Sequence, residues 1–392
     1  MPGARELMLR LLLEADVATW PTGLSMQDAV DLAFRWKVLP AINEKLKRLP
    51  VDLSDDVRSR LRRSSKETFL RSASVIQRGI NALAILENSG ISCAAFKGLA
   101  ALASHGGGRT LQDVDVLIKE SDLERAVHLL EMHGYQRNTL GDLGAYVQFV
   151  RNSPGFSGNE ALALTAPAGS EVDLHWRVGP RRLARFETQH LLSRAQVNKV
   201  AGKLVPVVCP VDAVLLTVHH SVRNNFVPDQ MIRDLLDVQA WLMSFSAADL
   251  AELCAVAGES GLLSPLIAMV RIISRFDSRI TLNERMHVFA SHATTDVEIA
   301  AQHLVELFLV QLERGPMNRD LVYLANLSSL RRIVSGGISN WPSYRARMRE
   351  LEIKNEGSPV SLAGRMRRLL RSVTTMTRRD WSQIRTLANI KE

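Results

Sequence analysis

Residues 91–118 read ISCAAFKGLAALASHGGGRTLQDVDVLI, and this stretch decides what kind of core the chain builds. The apolar, partly β-branched run Ile91 to Phe96 predicts a short strand, Leu99 to Ser104 a helix of about one and a half turns, and Asp113 to Lys119 a second strand. Side chains two apart on a strand share a face, so Asp113 and Asp115 converge on one spot while Val114 and Val116 lie on the opposite, buried side. A D-x-D pair also occurs on exposed strands with no chemical role, so its meaning depends on the rest of the chain.

Working outward, Glu171 to Val178, EVDLHWRV, repeats the same polarity: Glu171, Asp173 and His175 alternate with Val172, Leu174 and Trp176. If the two strands are sheet neighbours, Asp113, Asp115 and Asp173 form a cluster of three carboxylates. Such a cluster repels itself unless cations are present. A hard divalent ion with all-oxygen preference, Mg²⁺ or Mn²⁺, is the expected cofactor. Two such ions stabilise both the attacking and the leaving oxygen in phosphoryl chemistry, which is a physical reason to gather three acids.

Lys97-Gly98, at the junction of the first strand and the short helix, is a candidate phosphate turn. Glycine lets backbone amides approach an anion, the helix N-terminus favours negative charge, and Lys97 and Arg109 would neutralise a triphosphate. An ordinary tight turn explains the same residues. No G-x-x-x-x-G-K-[ST] P-loop is present, and Gly106 to Gly108 leads into a strand, unlike a dinucleotide fingerprint. His175, on the face of Asp173, joins Lys97, Gly98 and Arg109 as a candidate nucleotide contact.

Taken together, KGLAAL, then R-x-x-x-D-x-D-x-L-I from Arg109 to Ile118, a helix ending in L-x-x-x-G-Y (Leu130 to Tyr135), and VDLHW resemble an uncharacterised nucleotidyltransferase family of the polymerase-β-like superfamily. The resemblance covers Ser92 to Val178 and continues more weakly through His219, His220, Arg233 and Asp234. It implies that Asp113 and Asp115 hold catalytic metals and that Asp173 is the third carboxylate, binding metal and helping to deprotonate an acceptor hydroxyl. Many relatives carry Gly-Gly or Gly-Ser where this chain has Lys97-Gly98. The implied reaction moves an NMP from an NTP to a hydroxyl or phosphate of an unidentified acceptor, a small molecule, peptide or protein, and releases pyrophosphate. A catalytically silent protein of the same fold that binds nucleotide or a partner is the alternative.

The expected fold class is α+β: a small mixed-sheet nucleotidyltransferase core at 90–209, an N-terminal helical module at 1–89, a C-terminal helical domain at 210–340 and a basic helical tail at 341–392. The N-terminal module reads as helical throughout, with Pro40 kinking or dividing it, Ser54 capping a long helix and Gly90 ending it. Further strands are expected at Tyr146 to Arg151 and Ala161 to Ala166, an arginine-rich helix after Pro180, and a hairpin turning at Ala201-Gly202-Lys203. Adjacent helical residues point about 100° apart, so at most one of His219 and His220 faces a cleft. Arg233-Asp234 reads as an internal ion pair or a nucleotide contact.

The 46% apolar and 23% charged content of the 392 residues is that of an ordinary globular protein. Of the net charge of +8, nearly all sits in Ser343–Glu392, with 12 Lys/Arg against 5 Asp/Glu. Its RMRRLLRSVTTMTRRDW segment suits an acidic partner, an anionic membrane surface or nucleic acid. Cys93, Cys209 and Cys254 lie in apolar contexts, as reduced core residues of a cytoplasmic protein do, and no signal peptide or transmembrane span is expected.

Overall fold

The computed structural model describes residues 3–314 except 15–16, 107, 139–142, 146, 148–160, 168, 170, 179–185, 225, 278 and 280–283. The described residues of Met1–Asn138 and Ala161–Pro316 form one compact unit; a second unit, Thr139–Glu160 with Met317–Glu392, lies almost wholly outside them. The expected basic tail at 341–392 therefore falls outside the described residues. So does the strand expected at 146–151, apart from Val147, which is helical.

Four helices open the chain: α1 (Ala4–Leu13), α2 (Met26–Arg35), α3 (Leu39–Arg48) and α4 (Asp55–Asn88). Ser25 caps α2 by accepting from Asp28 N at 3.0 Å. The break between α2 and α3 falls at 36–38, before the proline. Pro40 sits in the first turn of α3, where a missing N–H costs nothing, and neither kinks nor divides a helix. Ser54 caps α4 and Gly90, at φ 72°, ends it.

The core is a seven-stranded mixed sheet in the order β3-β4-β5-β2-β1-β7-β6, built from β1 (Cys93–Phe96), β2 (Asp113–Ile118), β3 (Gln136–Arg137), β4 (Ala161–Thr165), β5 (Glu171–His175), β6 (Gln196–Val200) and β7 (Lys203–Val207), with α5 (Gly98–His105), α6 (Leu123–Met132) and α7 (Thr188–Ser193) between them. β6 and β7 are the expected hairpin, with Ala201 and Gly202 both at positive φ, as a two-residue turn that matches strand twist requires. α4 crosses the back of the sheet at Gly79, where an added Cβ would lie 2.5 Å from Val114 Cγ2. That close approach buries Val114 and Val116 and leaves the aspartate face of β2 on the other side.

From Pro210 the described chain is helical: α8 (Pro210–Arg223), α9 (Pro228–Ser244), α10 (Ala247–Ser260), α11 (Leu263–Phe276), α12 (Glu284–His292) and α13 (Thr295–Arg314). Gly261, at φ 78°, ends α10. All three cysteines are buried and free. One mixed sheet with helical segments before and after it in the chain makes the fold α+β. No helix of the described residues is long and apolar enough to cross a membrane.

Candidate active site

The decisive geometry is a strand pairing. β2 and β5 lie side by side and parallel, in a register that places Asp113 opposite Glu171, Asp115 opposite Asp173 and Leu117 opposite His175. Period-two alternation then gathers Asp113, Asp115, Asp173 and His175 on one face. Among the described residues, Asp115, Asp173 and His175 bring one potential ligand atom each within 4.8 Å of one another. Asp113 stands exposed at the start of β2, on the same face but outside that close group.

Each member has a distinct environment. Asp115 is buried and accepts hydrogen bonds on Oδ1 from Lys97 Nζ and from His175 Nε2, the latter at 2.9 Å. Burial works to raise its pKa, but Lys97 and His175 outweigh burial and hold this carboxyl well below the usual range. Burial keeps His175 neutral against the pull of Asp115. To donate to a carboxylate the neutral ring must carry its proton on Nε2, so His175 orients Asp115. Its ring is held edge-on to Phe96 at 4.9 Å.

Asp173 has no hydrogen-bond or ion-pair partner among the described residues. Burial, followed by the charges of Asp115 and Asp113, pushes it up to about 7. A hard divalent cation fits this donor set on electrostatic grounds: carboxylates crowd one face, and a single ammonium is their close counter-charge.

Lys97 takes φ 52° and ψ −120°, a backbone that glycine adopts easily and lysine only under strain. This is the position where the resemblance places glycine in many relatives. Its neighbour Gly98 is needed for another reason: a Cβ there would meet Arg109 Nη2 at 2.5 Å and Leu111 Cδ2 at 2.3 Å. Glycine makes room for the Arg109 guanidinium.

Arg109 is buried behind that turn. Its Nε lies 3.2 Å from Asp237 and its Nη1 3.9 Å from Asp234, both on α9. Burial opposes its charge, but the two carboxylates outweigh burial. Asp234 also accepts from His220 Nδ1 and Ser221 Oγ, each at 2.8 Å. His220 is thus an internal partner of Asp234. His219 takes the other direction, buried edge-on to Phe186 at 5.8 Å, and is pushed down to about 3 by burial and then by Arg223, His220 and Lys97.

Sequence reasoning missed Asp237 and Lys37. Asp237 had a signal, since Asp234 and Asp237 are three apart on one helix face. Lys37 had none: it lies at the α2–α3 corner, whose docking beside β2 is purely tertiary. Lys37 O accepts from Thr110 N at 2.9 Å, and Ala41 N donates to Gly108 O at 3.1 Å. Lys37 Nζ donates to Gln112 Oε1, the side chain immediately before Asp113.

No curated protein matches the chain. Two solved structures from Helicobacter pylori align with it, a provisionally assigned nucleotidyltransferase and JHP933, at 11% and 12% identity, over 62% of this chain and 96% and 94% of their own, each with a TM-score of 0.25. Likenesses that distant carry no argument about the site. The sequence model of a family described as uncharacterised nucleotidyltransferases matches residues 23–276, a span that runs from α2 through α11 and includes every residue of the carboxylate face. The chain belongs to this nucleotidyltransferase family.

Proposed function

We propose that the protein transfers a nucleoside monophosphate from an NTP to a hydroxyl or phosphate oxygen of an acceptor, with release of pyrophosphate. The observation that carries this reading is the register of β2 against β5, which sets Asp115 beside Asp173 and aligns both with Asp113. Asp113, Asp115 and Asp173 would hold Mg²⁺ or Mn²⁺, which neutralises the carboxylates and stabilises charge on the attacking and leaving oxygens.

Asp173, unpaired among the described residues and on the face of Asp113 and Asp115, would help to take the acceptor's proton. The acceptor oxygen forms a bond to the α-phosphorus as the bond to the bridging oxygen breaks, and the electron pair leaves with pyrophosphate. His175 keeps Asp115 in a fixed orientation through its 2.9 Å hydrogen bond. Lys97 screens Asp115. Positioning and charge compensation supply most of the acceleration in chemistry of this kind.

The test is pyrophosphate release from each of the four NTPs with cell extract as the source of acceptor, for the native protein and for Asp113→Ala and Asp173→Asn. Turnover that both substitutions abolish supports the reading. Equal turnover in native and substituted protein, or none from the native protein with any NTP, overturns it. The Lys97–Asp115 ion pair favours a second reading, a nucleotide-binding protein without turnover, because an ammonium already supplies positive charge at Asp115. Calorimetric binding of Mg·NTP without pyrophosphate release would select it.

A further inference from the structure

The two cations that sequence reasoning assigns to phosphate are both committed elsewhere: Lys97 to Asp115, and Arg109 to Asp237 and Asp234. Two others remain beside Asp113. Lys37 has no carboxylate within ion-pair distance among the described residues; its ammonium meets only the neutral amide of Gln112. Arg233, on α9, has a buried Nε with no hydrogen-bond partner among the described residues.

We propose that Lys37 and Arg233 form the anion seat that receives the triphosphate of the incoming nucleotide, so that the N-terminal helices complete the site. This rests on the nucleotidyltransferase reading and names the residues that would hold the phosphates.

Three observations converge on it. First, Lys37 has φ 60°, a conformation that a non-glycine residue adopts only under strain. Glycine would fill that corner without strain, so a lysine there implies a use for its side chain. Second, backbone hydrogen bonds from Thr110 and Ala41 tie this corner to Gly108–Thr110, and the side chain reaches Gln112, so Lys37 is fixed beside the D-x-D strand.

Third, the charge of Arg233 acts on Lys37, and that of Asp113 on both. Burial and then Arg233 depress Lys37, while Asp113 opposes the shift; burial and then Arg109 depress Arg233, opposed by Asp234, Asp113 and Asp237. Two partly desolvated cations that share one exposed carboxylate as a neighbour are stabilised by an anion, as crowded carboxylates are by a cation. Inorganic polyphosphate presents the required row of charged oxygens, and guanidinium and ammonium groups both bind it.

The experiment is isothermal titration with inorganic tripolyphosphate, ATP and AMP in the presence of Mg²⁺, on the native protein, Lys37→Gln, Arg233→Gln and Lys97→Gln, with thermal unfolding of each as a check on folding. Native protein is expected to bind tripolyphosphate and ATP. Lys37→Gln should weaken both by about tenfold or more, as loss of one charge-assisted hydrogen bond does, with AMP affinity little changed. Because Lys37 is partly exposed, this variant is decisive if Arg233→Gln does not fold. Unchanged tripolyphosphate affinity in Lys37→Gln, loss confined to Lys97→Gln, or no tripolyphosphate binding by the native protein overturns the proposal. Tripolyphosphate binding that depends on Lys37, without NTP turnover, leaves the anion seat standing and removes the transferase reading instead.

Discussion

Two clusters of acids stand close together in this molecule and are built from overlapping segments, yet they are opposite in kind. In the first, Asp113, Asp115 and Asp173 face one ammonium, Lys97, and one neutral imidazole, His175. In the second, Asp234 and Asp237 are held by the Arg109 guanidinium, the His220 imidazole and the Ser221 hydroxyl, with glycine at position 98 letting the guanidinium pack closely. The second cluster supplies its own counter-charge and is closed. In the first, only Asp115 is directly ion-paired, Asp173 has no partner among the described residues, and the cluster opens on the side where Asp113 is exposed. Counter-charge, more than acidity or burial, distinguishes a group that awaits a ligand from one that holds the fold together.

The largest expected effect separates the clusters by activity. Asp173→Asn should reduce NTP turnover by about 10³-fold, in the range expected for loss of a general base that also binds metal, while the melting temperature stays level or rises because a repulsive charge is gone. Pyrophosphate release and thermal unfolding on the same preparation measure both. A melting temperature lowered by many degrees would show that Asp173 is part of the scaffold and erase the distinction.

The mirror experiment is Asp237→Ala. It removes the nearer of the two carboxylates that hold buried Arg109, a loss of up to about 3–5 kcal/mol, the range for a buried ion pair broken on one side, measured by urea unfolding. Replacing both partners, with Arg109→Met and Asp237→Leu, should recover most of that loss, since the guanidinium and its nearer acid leave together while Asp234 keeps His220 and Ser221. If Asp237→Ala unfolds like the native protein, the second cluster is not structural.

How much of this could be read in advance follows from the same contrast. The strand polarity of DVDVLI and EVDLH was legible, because period-two alternation is a local property, and it led to the shared face of Asp113, Asp115 and Asp173. Whether β2 and β5 were neighbours was a tertiary fact that only the sheet supplies. The Lys97-Gly98 turn was legible as a turn and its reasons were not: the glycine is spaced for Arg109, and the lysine answers Asp115. Arg109 was read as a nucleotide contact because it precedes D-x-D by four residues, while the acids that hold it are more than a hundred positions away on α9. Lys37 carried no motif at all. Local period and turn chemistry show through a sequence; the pairing of charges from distant segments does not.

Gly98→Ala tests that spacing on a smaller scale. The new methyl would press on Arg109 and Leu111, and overpacking of this sort costs about 1–3 kcal/mol. Arg109 is fixed by its acids and cannot swing away cheaply. Combining Gly98→Ala with Arg109→Ala should therefore cost less than the two single losses added together, by denaturant unfolding. Strict additivity would mean that Gly98 serves the phosphate side of the turn and not the guanidinium behind it.

The smallest effect is in the pH dependence, and its sign is opposite to that of a typical paired carboxylate. Asp173 is raised to about 7 in the folded chain, against about 3.9 for an unfolded aspartate. Its contribution to stability is full below about pH 4 and is lost as pH rises through 7, because the folded state binds the proton more tightly than the unfolded state does. With a chelator present, the native protein should thus lose about 1 kcal/mol of stability between pH 5 and pH 8, a figure reduced from the full shift because Asp173 is partly solvated. Asp173→Asn should flatten that slope. Added Mg²⁺ should offset it as well, since a cation binds the ionised cluster and its affinity grows as the proton leaves. A slope that Mg²⁺ offsets equally in Asp173→Asn would trace to a different group and break the link between the uncompensated charge and the site.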